Sequence, residues 1–291
     1  MLLRCLPDIS RHACFALKGG TAINLFLQDL PRISVDIDLN YLPLKPRSEA
    51  FREIQDALIS IKAEIERHIP GTWVQGKKTE DHVSKLFVST KDSIVKIEPN
   101  LVFRGAVYKS QVLDLSSAAQ NHFQEFASIQ IMSRGDLYGS KLCAALDRQH
   151  PRDLFDIKLL MEGIGITTKI RRAFVVYLAG SSRPMSELLS PRILNIEKVF
   201  EKHFMGMVRD EVSIADLLEI QRVLPGYLVN ELDNDEKEFL VSVKRGEPEW
   251  GRLGIEYLDQ FPALKWKIIN IRKMDPGKHK KALERLIQIL Q

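Results

Sequence analysis

A short apolar run, Phe15-Ala-Leu-Lys18, stops at Gly19-Gly20-Thr21, and a second strand-like run then carries Asp36 and Asp38. Between them Ile23, Phe26, Leu27 and Leu30 recur at helical spacing. The stretch therefore reads as strand, glycine turn, amphipathic segment, strand. A strand repeats every two residues, so both carboxylates fall on one side of it. Two acids on one face beside a Gly-Gly turn form a candidate site for Mg²⁺ and a nucleoside triphosphate. Hard divalent cations take oxygen ligands and leave places for water and phosphate. Glycines let backbone N–H groups approach phosphates closely, and Thr21 adds a hydroxyl.

The rest of the chain reads as a sheet followed by helices. Residues 1–12 form a short lead-in, and 40–46 a loop with two prolines. Ser48 is an N-cap candidate for a helix carrying Phe51, Ile54, Leu58, Ile61 and Ile65 to about His68. Residues 72–98 read as strands, with one over 85–90, a turn at 91–93 and the next over 94–98. In the last, Val95 and Ile97 share one face, while Ile94, Lys96 and Glu98 share the other. Glu98 is a candidate third carboxylate; the competing reading is a solvated strand residue beside Lys96. Two more extended pieces lie around 111–115 and 126–131, separated by a polar loop or short helix over 116–124. The span 13–132 is thus a mixed sheet with a few helices, and the fold class is α+β.

A second group of charged residues follows. Ser133 and Asp136 form a capping-box variant that opens a helix, with Leu137, Leu142, Ala145 and Leu146 as its buried stripe. His150-Pro151 breaks that helix and starts another, which ends near Gly163. Asp153 and Asp156 lie three apart and share a face. Arg152-Asp153 admits a structural ion pair as readily as a role in chemistry. From 164 to 291 helical spacing recurs over 170–178, 195–207, 214–223, 235–243 and 282–290. Breaks are expected at Gly180, Pro191, Pro225-Gly226, Gly246 and Pro276-Gly277. Trp266 reads as core or inter-domain packing. The basic run 278–281 offers either a phosphate grip or a solvated helix face.

Composition narrows the class. A chain of 291 residues with 45% hydrophobic content can bury substantial cores, and its net charge of +4 permits a nucleic-acid partner without demanding one. Three cysteines without metal spacing suit a reducing compartment. No apolar run reaches membrane-spanning length, and the opening residues lack a signal-peptide core. A cytoplasmic protein without membrane association is expected.

The string Leu17-Lys18-Gly19-Gly20-Thr21-Ala22, followed by Arg32-Ile33-Ser34-x-Asp36-Ile37-Asp38, resembles the signature of polymerase-β-like nucleotidyltransferases, specifically the AbiEii/AbiGii and MenT group of toxins. The segment from Asp136 through Lys141, Ala144, Arg148 and Arg152-Asp153 to Asp156 resembles that group's second signature. The resemblance covers nearly the whole chain and is strong at 17–38 and 136–156. It implies a nucleotidyltransferase domain over 1–163, made of a sheet core at 13–132 and active-site helices at 133–163, then a helical bundle over 164–291, with substrate in a cleft between them. It implies catalytic roles for Asp36, Asp38, Lys141 and Asp156, with Lys141 reaching the triphosphate. Lys18, Gly19, Gly20, Thr21, Arg32 and Ser34 are then nucleotide-binding, and Asp36, Asp38 and Glu98 hold Mg²⁺ or Mn²⁺. It further implies an NTP substrate, a tRNA 3′ end as acceptor, a block of translation and a cognate antitoxin as partner. Two alternatives stay open: transfer to a protein or small-molecule hydroxyl, and a non-catalytic nucleotide-binding interaction protein.

Overall fold

The computed structural model describes residues 1–79 and 82–291. The expected strand region over 72–98 includes 80–81, which lie outside the described residues. The chain divides into two compact units, Met1–Ser133 and Arg134–Gln291.

The first unit holds α1 (Leu2–Ser10), β1 (Phe15–Lys18), α2 (Gly19–Ala22), a π-helical turn (Ile23–Leu27) and β2 (Asp36–Tyr41). It continues with α3 (Arg47–His68), β3 (Trp73–Thr79), β4 (His82–Ser89), β5 (Ile94–Asn100), β6 (Gln111–Asp114), α4 (Ser117–Phe123) and β7 (Ser128–Ile131). The strands form one seven-stranded mixed sheet in the order β3-β4-β5-β2-β1-β7-β6. β2 runs antiparallel to β1 and parallel to β5, which places the acidic strand at the centre.

One sheet face is the core. Ile37, Leu39, Val74, Leu86, Val88, Val95 and Ile97 are buried there. α3 packs on β3 and β4 with Ile54, Leu58, Ile61 and Ile65 buried at 3.6-residue spacing. Each such side chain contributes roughly 1.5–3 kcal/mol. The expected lead-in is instead α1, which buries Leu3, Cys5, Leu6 and Ile9 in spite of Pro7. Tertiary burial outweighs the one backbone bond that a proline removes. Ser48 does not cap α3: the helix starts at Arg47, after Pro46, with no side-chain cap. β2 also continues through Asn40 and Tyr41, which the sequence places in a loop.

The second unit is helical: α5 (Arg134–Arg148), α6 (Pro151–Glu162), α7 (Thr168–Ala179), α8 (Met185–Leu189), α9 (Glu197–His203), α10 (Ile214–Glu231), α11 (Asn234–Arg245), α12 (Pro262–Arg272) and α13 (Pro276–Leu290). Pro225-Gly226 does not end α10, which continues to Glu231 with Leu217, Leu224 and Leu228 buried and a Ser213–Asp216 capping box at its start. Pro276-Gly277 begins α13, so the last helix is a turn and a half longer than its apolar pattern. Trp266 is 60% exposed and is not core. No described helix is long and apolar enough to cross a membrane.

Candidate functional site

The acidic strand and the glycine turn meet through side-chain contacts. Lys18 ends β1 in extended geometry and stands opposite Asp38 in the antiparallel register. Gly19 follows at φ +71°, where L side chains are strained. A Cβ on Gly19 would also overlap the Asp38 carboxylate. A Cβ on Gly20 would lie 2.6 Å from Arg32 Nη2 and 3.2 Å from Ser34 Oγ. Both glycines thus make room for the groups that the sequence analysis places beside them.

Thr21 is buried. Its hydroxyl donates to the Asp36 carbonyl and is hydrogen-bonded with Ser34 Oγ at 2.8 Å. The hydroxyl is therefore spent on the base of β2, and its contribution to the site is to fix Asp36. Arg32 is buried too, and Nη1 donates to the Ile33 carbonyl at 3.0 Å. Asn24 was not singled out by the sequence. It is fully buried, and its Nδ2 donates to the Gly20 carbonyl at 2.9 Å, holding the turn from behind. A lone amide in an apolar run is the signal that would have found it.

Asp36 and Asp38 are half-buried on the face opposite the core. In the parallel β2–β5 register Asp36 stands beside Lys96 and Asp38 beside Glu98. Glu98 is doubly ion-paired, with Lys96 Nζ at 2.8 Å and with Lys85. Burial alone would raise its pKa; the hydrogen bonds from Lys85 and Lys96 reverse this and hold it below the usual value. Lys96 shows the reciprocal effect. Burial works against its charge, and Glu98, Asp36 and Asp38 together raise its pKa. Lys85 and Lys96 are thus additions to the site face; only Lys96 was visible in the sequence, as a neighbour.

The paired aspartates suit a hard cation. Mg²⁺ is commonly bound by one or two carboxylates plus substrate phosphates. Among the described residues no group of three or more His, Cys, Asp and Glu side chains gathers at metal-binding geometry. Asp36 and Asp38 offer two such carboxylates, and Glu98 stands beside Asp38 in register while paired with Lys85 and Lys96.

In the second unit, Lys141 is buried and its Nζ lies 2.9 Å from Asp153 Oδ1 and 2.9 Å from Asp156 Oδ2. Arg148 Nη2 lies 2.8 Å from Asp153 Oδ2. Asp153 is thus paired with Lys141 and Arg148, rather than with Arg152. Burial pushes the Asp153 pKa up, but Lys141 and Arg148 outweigh it and the net shift is downward. His150 caps α6, accepting from the Arg152 amide at 3.1 Å. Burial, with help from Arg152, lowers its pKa to about 4, so the ring is a neutral acceptor at pH 7. Gln149, unremarked in the sequence, fixes the α5–α6 corner by donating to the Arg192 carbonyl and accepting from the Leu194 amide and Gln221.

A family model described as nucleotidyl transferase AbiEii toxin, type IV toxin–antitoxin system, matches residues 1–261. No curated protein matches the chain. Among solved structures the chain is similar to MenT4, a nucleotidyltransferase toxin from Mycobacterium tuberculosis H37Rv, with a TM-score of 0.62 at 16% identity, covering 100% of this chain and 91% of that one. At that identity the likeness speaks for the α+β fold; the family match, spanning most of the sequence, speaks for the chemistry. The chain belongs to the AbiEii family of toxin nucleotidyltransferases and is a nucleotidyltransferase.

Proposed function

We propose that this chain transfers a nucleotide from a nucleoside triphosphate to the 3′ end of tRNA in a Mg²⁺-dependent reaction, blocking translation until a cognate antitoxin restrains it. The observation that carries the reading is the pairing of Asp36 and Asp38 on the open face of β2, with Gly19 making room for the Asp38 carboxylate. Asp36 and Asp38 would hold the cation, with Mn²⁺ an alternative. When bound, it would supply charge neutralisation at the phosphates.

The chain's own residues do the positioning. The Gly19–Gly20 turn offers backbone N–H groups to the phosphates, and Lys18 adds a cation at its edge. Thr21, Ser34, Arg32 and Asn24 keep turn and strand in fixed relation. An acceptor hydroxyl attacks the α-phosphorus, forming a new P–O bond. The bond to the bridging oxygen breaks, pyrophosphate leaves with the electron pair, and the hydroxyl proton passes to solvent. Such transfer is largely positioning and neutralisation. The family resemblance assigns Lys141 to triphosphate charge, and its Nζ is held at 2.9 Å by both Asp153 and Asp156. The proposed functional division is 1–163 for nucleotidyl transfer and 164–291 for the remaining helices. A tRNA acceptor places the reaction in the cytoplasm.

The test is label transfer from each α-labelled triphosphate to total tRNA with Mg²⁺, beside an Asp36→Ala/Asp38→Ala variant. Label on tRNA that the variant does not produce is the expected result. Equal transfer by the variant overturns the site. Label on protein, or on neither, replaces the acceptor with a protein or small-molecule hydroxyl, or the activity with nucleotide binding alone.

A further inference from the structure

We infer that the open face of β3, β4 and β5 is a platform for the single-stranded end of the acceptor RNA, leading directly to the Asp36–Asp38 pair. The inference rests on the reading above and assigns a surface to its acceptor.

Cross-strand register places the residues. Lys96 stands beside Asp36, Phe87 beside Lys96, and Gln75 beside Phe87. One row along, Ser89 pairs with Ile94 and with Trp73, and Lys77 pairs with Lys85. Directly opposed residues share a face. Asp36, Asp38, Lys96, Lys85, Lys77, Phe87 and Trp73 therefore lie on one side of four adjacent strands, about 14 Å across at the usual strand spacing. The other side is the buried core.

This face has the composition of a nucleic-acid platform. Trp73 is 64% exposed and Ile94 68% exposed, with Phe87 partly open in the next row, between Gln75 and Lys96. Aromatic faces among cations are what single strands use, the bases stacking and the lysines meeting phosphates. Lys77 sits directly opposite Lys85, a like-charge pairing that destabilises a sheet unless something anionic offsets it. Glu98 offsets Lys85 and Lys96, and with Asp36 and Asp38 the face holds three carboxylates gathered on β2 and β5, while Lys77 stands on β3.

The geometry of transfer selects the RNA over the triphosphate as occupant. Sheet order places the Gly19–Gly20 turn on the β1 side of β2 and the lysines on the β5 side. Attack at phosphorus is in line, so the nucleophile enters opposite the leaving group. With pyrophosphate leaving on the glycine side, the hydroxyl arrives over β5.

The experiment is fluorescence anisotropy of the full chain with a dye-labelled single-stranded RNA bearing a free 3′ hydroxyl, without triphosphate. Trp73→Ala is expected to raise Kd about 5- to 100-fold through lost stacking. Lys77→Met is expected to raise Kd and reduce the slope of log K against log salt by about 0.7. Binding of a labelled triphosphate with Mg²⁺ is expected to be unchanged in both variants, which also reports an intact fold. Wild-type RNA affinity and salt slope in both variants overturn the platform. So does joint loss of RNA and triphosphate binding. A change confined to self-association, seen by sedimentation, overturns it in favour of a protein interface. Because no turnover is measured, absence of label transfer by the wild type would sink the proposed reaction and leave this result readable.

Discussion

Gly19 stands against Asp38 so closely that the carboxylate occupies the space a side chain would need. The turn and the acidic strand are therefore one steric unit. Gly19→Ala imposes a left-handed strain of about 1–2 kcal/mol and displaces Asp38. A displacement near 1 Å at a reacting centre costs about 100-fold. The expected outcome is a loss of transfer on that order with a modest fall in urea midpoint, measured on the same preparation.

Thr21 distinguishes a phosphate ligand from a fastener. Its hydroxyl is committed to the Asp36 carbonyl and to Ser34. Thr21→Ser keeps those bonds and is expected to remain active. Thr21→Val keeps the shape, leaves a buried carbonyl unsatisfied and costs about 1–3 kcal/mol. If valine lowers activity while stability and triphosphate affinity stay unchanged, the hydroxyl acts in catalysis instead.

Removing Lys141 leaves Asp153 and Asp156 buried without their shared cation. Lys141→Met is expected to cost about 3–5 kcal/mol. The double change Lys141→Met/Asp153→Asn should recover part of that loss, because it removes one of the two stranded charges. Chemical denaturation of the wild type, Lys141→Met, Asp153→Asn and the double variant checks the non-additivity.

Acid should act through the same cluster. The folded pKa of Asp153 is lowered from its ordinary value of 3.8, chiefly because Lys141 and Arg148 overcome burial. Its contribution is thus fully present above 3.8 and is lost as pH falls through the lower folded value. The difference in stability between wild type and Asp153→Asn is expected to be constant from pH 5 to 7 and to shrink below about 3.8, as read by urea midpoints.

Lys267 gives an alkaline counterpart. Burial, with Lys244 nearby, lowers its pKa to about 8, and its Nζ donates to the Ser181 and Arg183 carbonyls at 2.7 and 2.8 Å. The unfolded chain binds this proton more tightly between about 8 and the ordinary 10.5, so stability rises with pH there. Relative to Lys267→Met, the wild type is expected to gain stability from pH 8 to 10, with a slope of at most about 1.4 kcal/mol per pH unit. A flat difference would show that the amine stays charged.

What could be read from the chain was local. Period-two alternation put Asp36 and Asp38 on one face, the glycines marked the turn, and 3.6-residue spacing marked α3, α5 and α7, because each pattern is written in neighbouring residues. Local cues also misled where packing overrode them: Pro7 lies inside α1 between buried Leu6 and Ile9, and Pro225 inside α10 between buried Leu224 and Leu228. The tertiary structure alone decided who partners whom. Lys85 reaches Glu98 from another strand, Lys141 is enclosed by α6, and Thr21 spends its hydroxyl across 15 residues of sequence. Strand order and register set those meetings, and both depend on long-range burial that no short window of sequence contains.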